Sequence, residues 1–185
     1  MDLSEINLTD YPALAAPFHW PWGPIDGQFK LLVDEVNDAK VANVRVASFV
    51  GDKVVLAHMD YRHWNHPGGT REPDEAIMDT ARRELMEEAG AELLSFHPFG
   101  VFEAHSLAAK PYRPHLPHPD HVGLVGYGDV VVSGQPTNPP GGETVAEVRQ
   151  VDLAEAERLL IADESVFGEM WFQVAELAAK IRNGS

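Results

Sequence analysis

The amino-acid sequence predicts an α/β protein, and three stretches carry that expectation. Residues 41–50 are rich in β-branched side chains, Gly51-Asp52 makes a turn, and residues 53–59 resume the strand pattern, which together read as a β-hairpin. Residues 74–89 carry an apolar helical stripe, with Ile77, Met78, Ala81, Leu85 and Ala89 on one face. Residues 121–132 form another strongly β-like run, and residues 153–161 and 167–181 read as helices. Strands and helices interleave along the chain, as an α/β architecture requires.

The remaining segments follow in order. Residues 1–28 are expected to be an arm with little regular structure, because Pro17, Pro21 and Pro24 interrupt it. Trp20 and Trp22 in that arm are expected to pin it onto the core, with stacking on a nucleobase as the alternative. Residues 29–36 are ambiguous between strand and helix. Pro67-Gly68-Gly69 breaks the chain ahead of the helix; Pro73 suits a first helical position, Asp74 and Glu75 suit the positive helix end, and Gly90 suits the stop. Residues 92–103 look extended. Residues 105–121, with Pro111, Pro114, Pro117 and Pro119, are expected to form a long loop or lid. A loop over 133–142 precedes a short strand at 148–151. No repeat and no linker is visible, so one domain over residues 1–185 is expected.

Composition narrows the function. Fourteen basic against twenty-nine acidic residues give a net charge of -15 in 185 residues. That field repels phosphate backbones, which argues against long nucleic acid and against a membrane surface as partners. A small phosphorylated ligand that arrives with its own metal remains compatible. There is no cysteine, so disulfides, thiolate metal sites and a cysteine nucleophile are excluded. The Met-Asp-Leu-Ser-Glu start does not read as a secretory signal, and no apolar run approaches the ~18 residues of a membrane span. A cytoplasmic protein is expected.

Against this background the helix at 74–89 is anomalous. Glu84, Glu87 and Glu88 crowd its last turns, where the helix end carries partial negative charge and prefers cations. Glu84 and Glu88 are also a like-charge i,i+4 pair, which costs a few tenths of a kcal/mol. Local stability would not select this arrangement, and a bound divalent cation would explain it.

The spacing Gly69-x5-Glu75-x7-Arg83-Glu84-Leu85-x-Glu87-Glu88-x-Gly90 resembles the signature of the Nudix hydrolases, and every fixed position is filled. Ala91 stands where that family prefers a bulkier apolar residue. The lead-in, Trp64-Asn-His-Pro-Gly-Gly69, also looks like the family's. The resemblance implies an α/β/α sandwich with a mixed sheet and a loop-helix-loop box at 69–91. It implies a Mg²⁺-dependent pyrophosphohydrolase, with Mn²⁺ as an alternative ion, that splits a nucleoside diphosphate linked to a group X. Glu84, Glu87 and Glu88 would bind the metal, and Glu84 would act as or orient the base for water. Arg83 would hold a catalytic glutamate, Glu75 would be a supporting acid, Gly68 would offer its carbonyl to the metal, and Gly69 would permit a tight turn. The chemistry is consistent, because Mg²⁺ takes oxygen ligands and diphosphate hydrolysis needs charge neutralised on phosphate oxygens. The family often dimerises, so a homodimer is a further expectation.

Outside the box, Glu143 is favoured over Glu147 as a further metal-binding acid, and Tyr112 and Arg113 are candidate substrate contacts from the lid. His115, His118, Asp120 and His121 have a spacing that suggests zinc, but prolines extend the segment and convergence is not expected. His58, His63 and His66 are read as packing or rim residues. A related isomerase class needs a cysteine and is set aside; the non-enzymatic alternative is a nucleotide sensor on the same fold. The identity of X and of the base is not readable.

Overall fold

The computed structural model describes residues 2–20, 23–59, 63–140, 144–162 and 167–184. Ten strands form a sheet of order β1-β2-β8-β9-β3-β4-β10, with β5 on β4, β6 on β3 and β7 on β9. The strands are β1 (Phe18–Trp20), β2 (Ile25–Leu31), β3 (Val41–Val50), β4 (Lys53–Met59), β5 (Trp64–Asn65), β6 (Gly68–Thr70), β7 (Ala91–Leu93), β8 (His97–Ser106), β9 (Asp120–Val132) and β10 (Val145–Val151). The helices are α1 (Pro12–Ala15), α2 (Ile77–Ala89), α3 (Leu153–Ile161) and α4 (Gly168–Asn183). β3 runs parallel to β9 and antiparallel to β4 and β6, so the sheet is mixed.

Side chains alternate across the strands, and each face therefore builds its own core. On one face Val44 and Val46 of β3, Val55 of β4 and Leu124 of β9 meet Ala81, Leu85 and Ala89 of α2. On the other, Ala47, Phe49, Leu56 and Phe102 meet Leu160 of α3 and Trp171, Val174, Leu177 and Ala178 of α4. The result is the expected sandwich, with the box helix on one side and the C-terminal helices on the other. Burying Leu85 completely stabilises the box helix on the sheet by about 1.5–3 kcal/mol relative to exposing it.

Three expectations change. The N-terminal arm is more regular than its prolines suggest: β1 and β2 pair as a hairpin, and β2 joins β8. Pro17 and Pro24 lie just outside the two strands, where no ladder hydrogen bond is lost. Of the ambiguous segment, residues 29–31 end β2 and residues 32–36 lie outside any strand or helix. The box helix begins at Ile77 rather than at residue 74, because Asp74 takes a left-handed conformation (φ 60°) and turns the chain. Asp74 and Glu75 therefore precede the helix, and Pro73 is not its first residue.

The stop is as expected, with Gly90 in the left-handed region (φ 58°) accepting the role of C-cap. Trp20 packs edge-on against Phe18 and Phe167, at 4.9 and 5.4 Å between centroids, which ties the arm to the core. Trp22 lies outside the described residues. Among the described residues no helix is long and apolar enough to cross a membrane.

Candidate active site

The end of β6 and the last turns of α2 face a cavity of about 800 Å³. Glu84, Glu87 and Glu88 all line it, together with Gly68, Gly69, Arg83 and Arg45. The acids belong to the helix edge, where the apolar stripe gives way to the polar face. Glu84 and Glu88 are accordingly buried, each 7% exposed, and Glu87 is half-buried.

Arg83 organises the cluster. Its Nε donates to Glu75 Oε1 at 2.8 Å and its Nη2 to Glu75 Oε2 at 3.0 Å, a two-point pair. Its Nη1 donates to Glu84 Oε1 at 2.7 Å and to Glu87 Oε2 at 3.1 Å. Glu75, placed by a helical wheel away from the other acids, is thus joined to them through one guanidinium. The turn at Asp74 is what brings it back. Thr80 Oγ1 and the Glu72 N–H also donate to Glu75 Oε2, at 2.9 and 3.0 Å.

The charges respond to these contacts. The hydrogen bonds from Arg83 hold the Glu75 carboxyl down at about 2. The same pairing pushes Arg83 above its ordinary value. Burial pushes Glu84 up, with Arg83 opposing and the neighbouring Glu87 carboxylate adding to the rise. Glu88 turns toward the box's lead-in and accepts from the Gly68 N–H at 2.9 Å.

Gly69 does different work from the tight turn expected of it. Gly69 lies within β6 and makes no tight turn; it leaves space for Glu84, because a Cβ there would stand 2.4 Å from Glu84 Oε1. The unusual backbone is that of Gly68 (φ 151°), whose Cα passes so close to β3 that a Cβ would meet the Val44 carbonyl at 2.3 Å.

Among the described residues no three His, Asp or Glu side chains stand together in metal-holding geometry. Glu84 and Glu87 meet at Arg83 instead, and Glu88 meets the backbone of Gly68. The donor types nevertheless fit a hard divalent cation: the carboxylates of Glu72, Glu84, Glu87 and Glu88 line one cavity, with no sulfur or imidazole among its lining side chains.

Other candidates divide. Tyr112 and Arg113 stand at the mouth of the same cavity, and Arg113 Nη1 donates to Glu72 Oε1 at 2.7 Å. Pro139 and Pro140 line it as well. Glu143 lies outside the described residues. Glu147 on β10 pairs with Arg149 at 2.7 Å and does not line the cavity. The histidines near the lid do not converge: His115 pairs with the Arg71 carbonyl, His118 with the Ala108 carbonyl and His121 with the Pro119 carbonyl. His66 is wholly buried, with Nε2 at 3.0 Å from the Trp171 carbonyl, and burial pushes it down to about 4, so it packs as a neutral ring.

Arg45 is a lining residue that the box spacing does not point to. It lines the cavity from β3, and its guanidinium lies 4.9 Å from the Trp171 ring centroid. The signal was available, since Arg45 is the one cation within an otherwise apolar or small-polar strand.

The architecture is a mixed sheet between helices, with a carboxylate-rich helix end facing a cavity. The NUDIX domain model matches residues 39–169, and the chain belongs to that family, hydrolases acting on diphosphate bonds. Among solved structures the fold resembles a Bacillus subtilis pyrophosphohydrolase, at 20% identity and a TM-score of 0.58, covering 88% of this chain and 97% of that one. It also resembles a NUDIX hydrolase from Nitrosomonas europaea, at 18% identity and a TM-score of 0.53, covering 76% and 91%. A UDP-X diphosphatase follows at 15% identity and a TM-score of 0.51, covering 81% and 66%. No curated protein matches the chain in sequence.

Proposed function

We propose that this chain is a divalent-cation-dependent pyrophosphohydrolase that splits a nucleoside diphosphate linked to a group X into nucleoside monophosphate and phosphorylated X. The observation that carries the reading is the convergence of Glu84, Glu87 and Glu88 on one cavity, with Glu84 and Glu87 held by Arg83. Glu84, Glu87 and Glu88 would hold Mg²⁺ or Mn²⁺, with the Gly68 carbonyl and Glu143 completing the oxygen set. The ion, when bound, neutralises charge on the phosphate oxygens and makes a water more acidic.

The chain's own residues do the rest. Arg83, fixed by Glu75, orients Glu84 and Glu87. Glu84, buried beside Gly69, takes or directs the proton of the attacking water. Arg45, Tyr112 and Arg113 line the approach and supply cations and a π face to the substrate. A net charge of -15 supports a small substrate rather than long nucleic acid. The packing of Trp20 on Phe167 supports treating residues 1–185 as one domain. A cytoplasmic homodimer completes the reading.

The test is a panel of nucleoside triphosphates, nucleotide sugars, ADP-ribose and dinucleoside polyphosphates with Mg²⁺ or Mn²⁺. Release of nucleoside monophosphate, lost on chelation and in Glu87→Gln, is expected. No release from any member, with Glu87→Gln unchanged, overturns it. One observation favours a second reading, a catalytically silent nucleotide sensor: the glutamates engage Arg83 and Gly68 rather than standing as an open cluster. Nucleotide binding that needs no divalent ion and gives no turnover would select that reading.

A further inference from the structure

Beside the main cavity lies a narrow nook of about 70 Å³. Trp20, Phe102 and Trp171 supply aromatic walls, and Asn43 and His121 supply polar atoms. Arg45 lines both spaces, so the nook and the cavity of the glutamates adjoin at one residue. The volume is several times the ~10–15 Å³ that one water occupies by such a measure, which suits the edge of a flat ring.

The polar atoms are placed for recognition. Asn43 and Arg45 are two residues apart on β3 and therefore share a face. The Asn43 amide is half-buried and makes no side-chain hydrogen bond among the described residues. Its register partner on β9 is Gly123, where a Cβ would lie 2.6 Å from Asn43 Oδ1, so the missing side chain leaves the amide room. His121 Nδ1 faces the Pro119 carbonyl at 3.2 Å. A carbonyl only accepts, so the proton sits on Nδ1 and Nε2 is left as an acceptor. Burial lowers the His121 pKa and keeps the ring neutral.

We infer that this nook is the nucleobase subsite of the proposed hydrolase, with Asn43 and His121 reading the edge of the base. A nucleobase offers a π face to Trp20 and both donors and acceptors to the amide and imidazole. A sugar has no π face, and a purely apolar ring would leave the Asn43 amide desolvated and unpaired. The assignment also sets the direction of the substrate. The base lies in the nook, the diphosphate passes Arg45 to the glutamates, and X lies toward Tyr112 and Arg113 at the cavity mouth. It rests on the reading of the site as a nucleotide pyrophosphohydrolase.

Trp20 and Trp171 report on the nook directly. Tryptophan fluorescence is titrated with the four common nucleoside monophosphates and with ribose 5-phosphate, in chelator so that no turnover occurs. At least one nucleoside monophosphate is expected to quench saturably while ribose 5-phosphate does not. Asn43→Leu is expected to weaken that binding at least tenfold, and the near-isosteric Asn43→Asp to change the order of preference among bases. The Asp variant keeps the test decisive if the Leu variant does not fold. Equal quenching by ribose 5-phosphate, or wild-type base preference in Asn43→Asp, overturns the assignment. Hydrolysis of the substrate panel without base-dependent quenching also overturns the nook and leaves the hydrolase reading standing. Base-dependent quenching without any hydrolysis supports the nook and overturns that reading.

Discussion

Glu75 and Arg83 face each other across the first two turns of α2 through two parallel hydrogen bonds, Nε to Oε1 at 2.8 Å and Nη2 to Oε2 at 3.0 Å. A guanidinium held at two points cannot rotate, so its remaining nitrogen is aimed at Glu84 and Glu87. Glu75→Gln keeps the shape but removes the charge and one acceptor. Partners that orient cation-binding groups typically cost about 10–100-fold when removed. A loss of that order in kcat/KM is expected for Glu75→Gln. Arg83→Lys is expected to be no milder, since an ammonium cannot reproduce the fork. The double variant should lose little more than the worse single one, and additive losses in steady-state kinetics would contradict a shared unit.

The same pair predicts an acid dependence of stability. Arg83 holds Glu75 at about 2, below its ordinary value of 4.5. A carboxyl depressed in the folded state contributes stability that is fully present above its unfolded pKa. That contribution is lost as pH falls from about 4.5 through about 2, where protons bind the unfolded chain first. Urea midpoints measured between pH 6 and pH 2 should therefore fall less steeply for Glu75→Gln than for the wild type within that window. Parallel curves would show that the pair has no linkage to folding.

Gly68 and Gly69 are adjacent, yet Ala substitution should separate them by assay. At Gly69 the backbone is ordinary for any residue, and the obstacle is the Glu84 carboxylate at 2.4 Å. That carboxylate must move, so Gly69→Ala is expected to lower kcat at least tenfold with a melting temperature near wild type. At Gly68 the obstacle is the Val44 backbone at 2.3 Å together with a φ of 151°. Gly68→Ala is expected to destabilise the fold by more than about 1 kcal/mol, because strain and backbone displacement add. Calorimetry alongside activity distinguishes the two.

Local signals made much of this legible. Val41–Val50, Lys53–Met59 and Leu153–Ile161 have the predicted limits, because β-branched runs and an amphipathic period are properties of the segment itself. The box spacing located Glu84, Glu87 and Glu88 at the helix edge for the same reason. What stayed hidden depends on distant partners. The pairing of Phe18–Trp20 with β2 is one case, the room that Gly123 leaves for Asn43 another, and the stacking of Arg45 on Trp171 a third. The return of Glu75 to the cluster depends on a single positive φ at Asp74, which periodicity cannot register.

Leu85 tests whether the acids depend on the core beneath them. It is fully buried in the layer that it shares with the sheet's Val44, Val46 and Leu124. Leu85→Ala should destabilise by about 2–5 kcal/mol, read as a lower urea midpoint with an unchanged slope. Activity measured well below that midpoint should fall by less than in Glu75→Gln, because the ion pair around Arg83 does not touch Leu85.

Arg113 connects the lid to the box. Its bond to Glu72 at 2.7 Å, with His115 against the Arg71 carbonyl at 2.8 Å, lays residues 107–119 beside the turn that precedes α2. The Arg113–Glu72 pair is substantially exposed, and such pairs contribute about 0–1 kcal/mol, so neither partner should matter much to stability. In the proposed function Arg113 also faces the substrate, which then competes with Glu72 for the same guanidinium. Glu72→Gln weakens the competitor and should lower KM roughly two- to fivefold, the range that up to about 1 kcal/mol allows. Arg113→Ala removes the cation and should raise KM by at least as much. Opposite signs for the two substitutions identify Arg113 as a substrate contact. A rise in KM for both, with similar size, identifies the pair as a latch that only holds the lid in place.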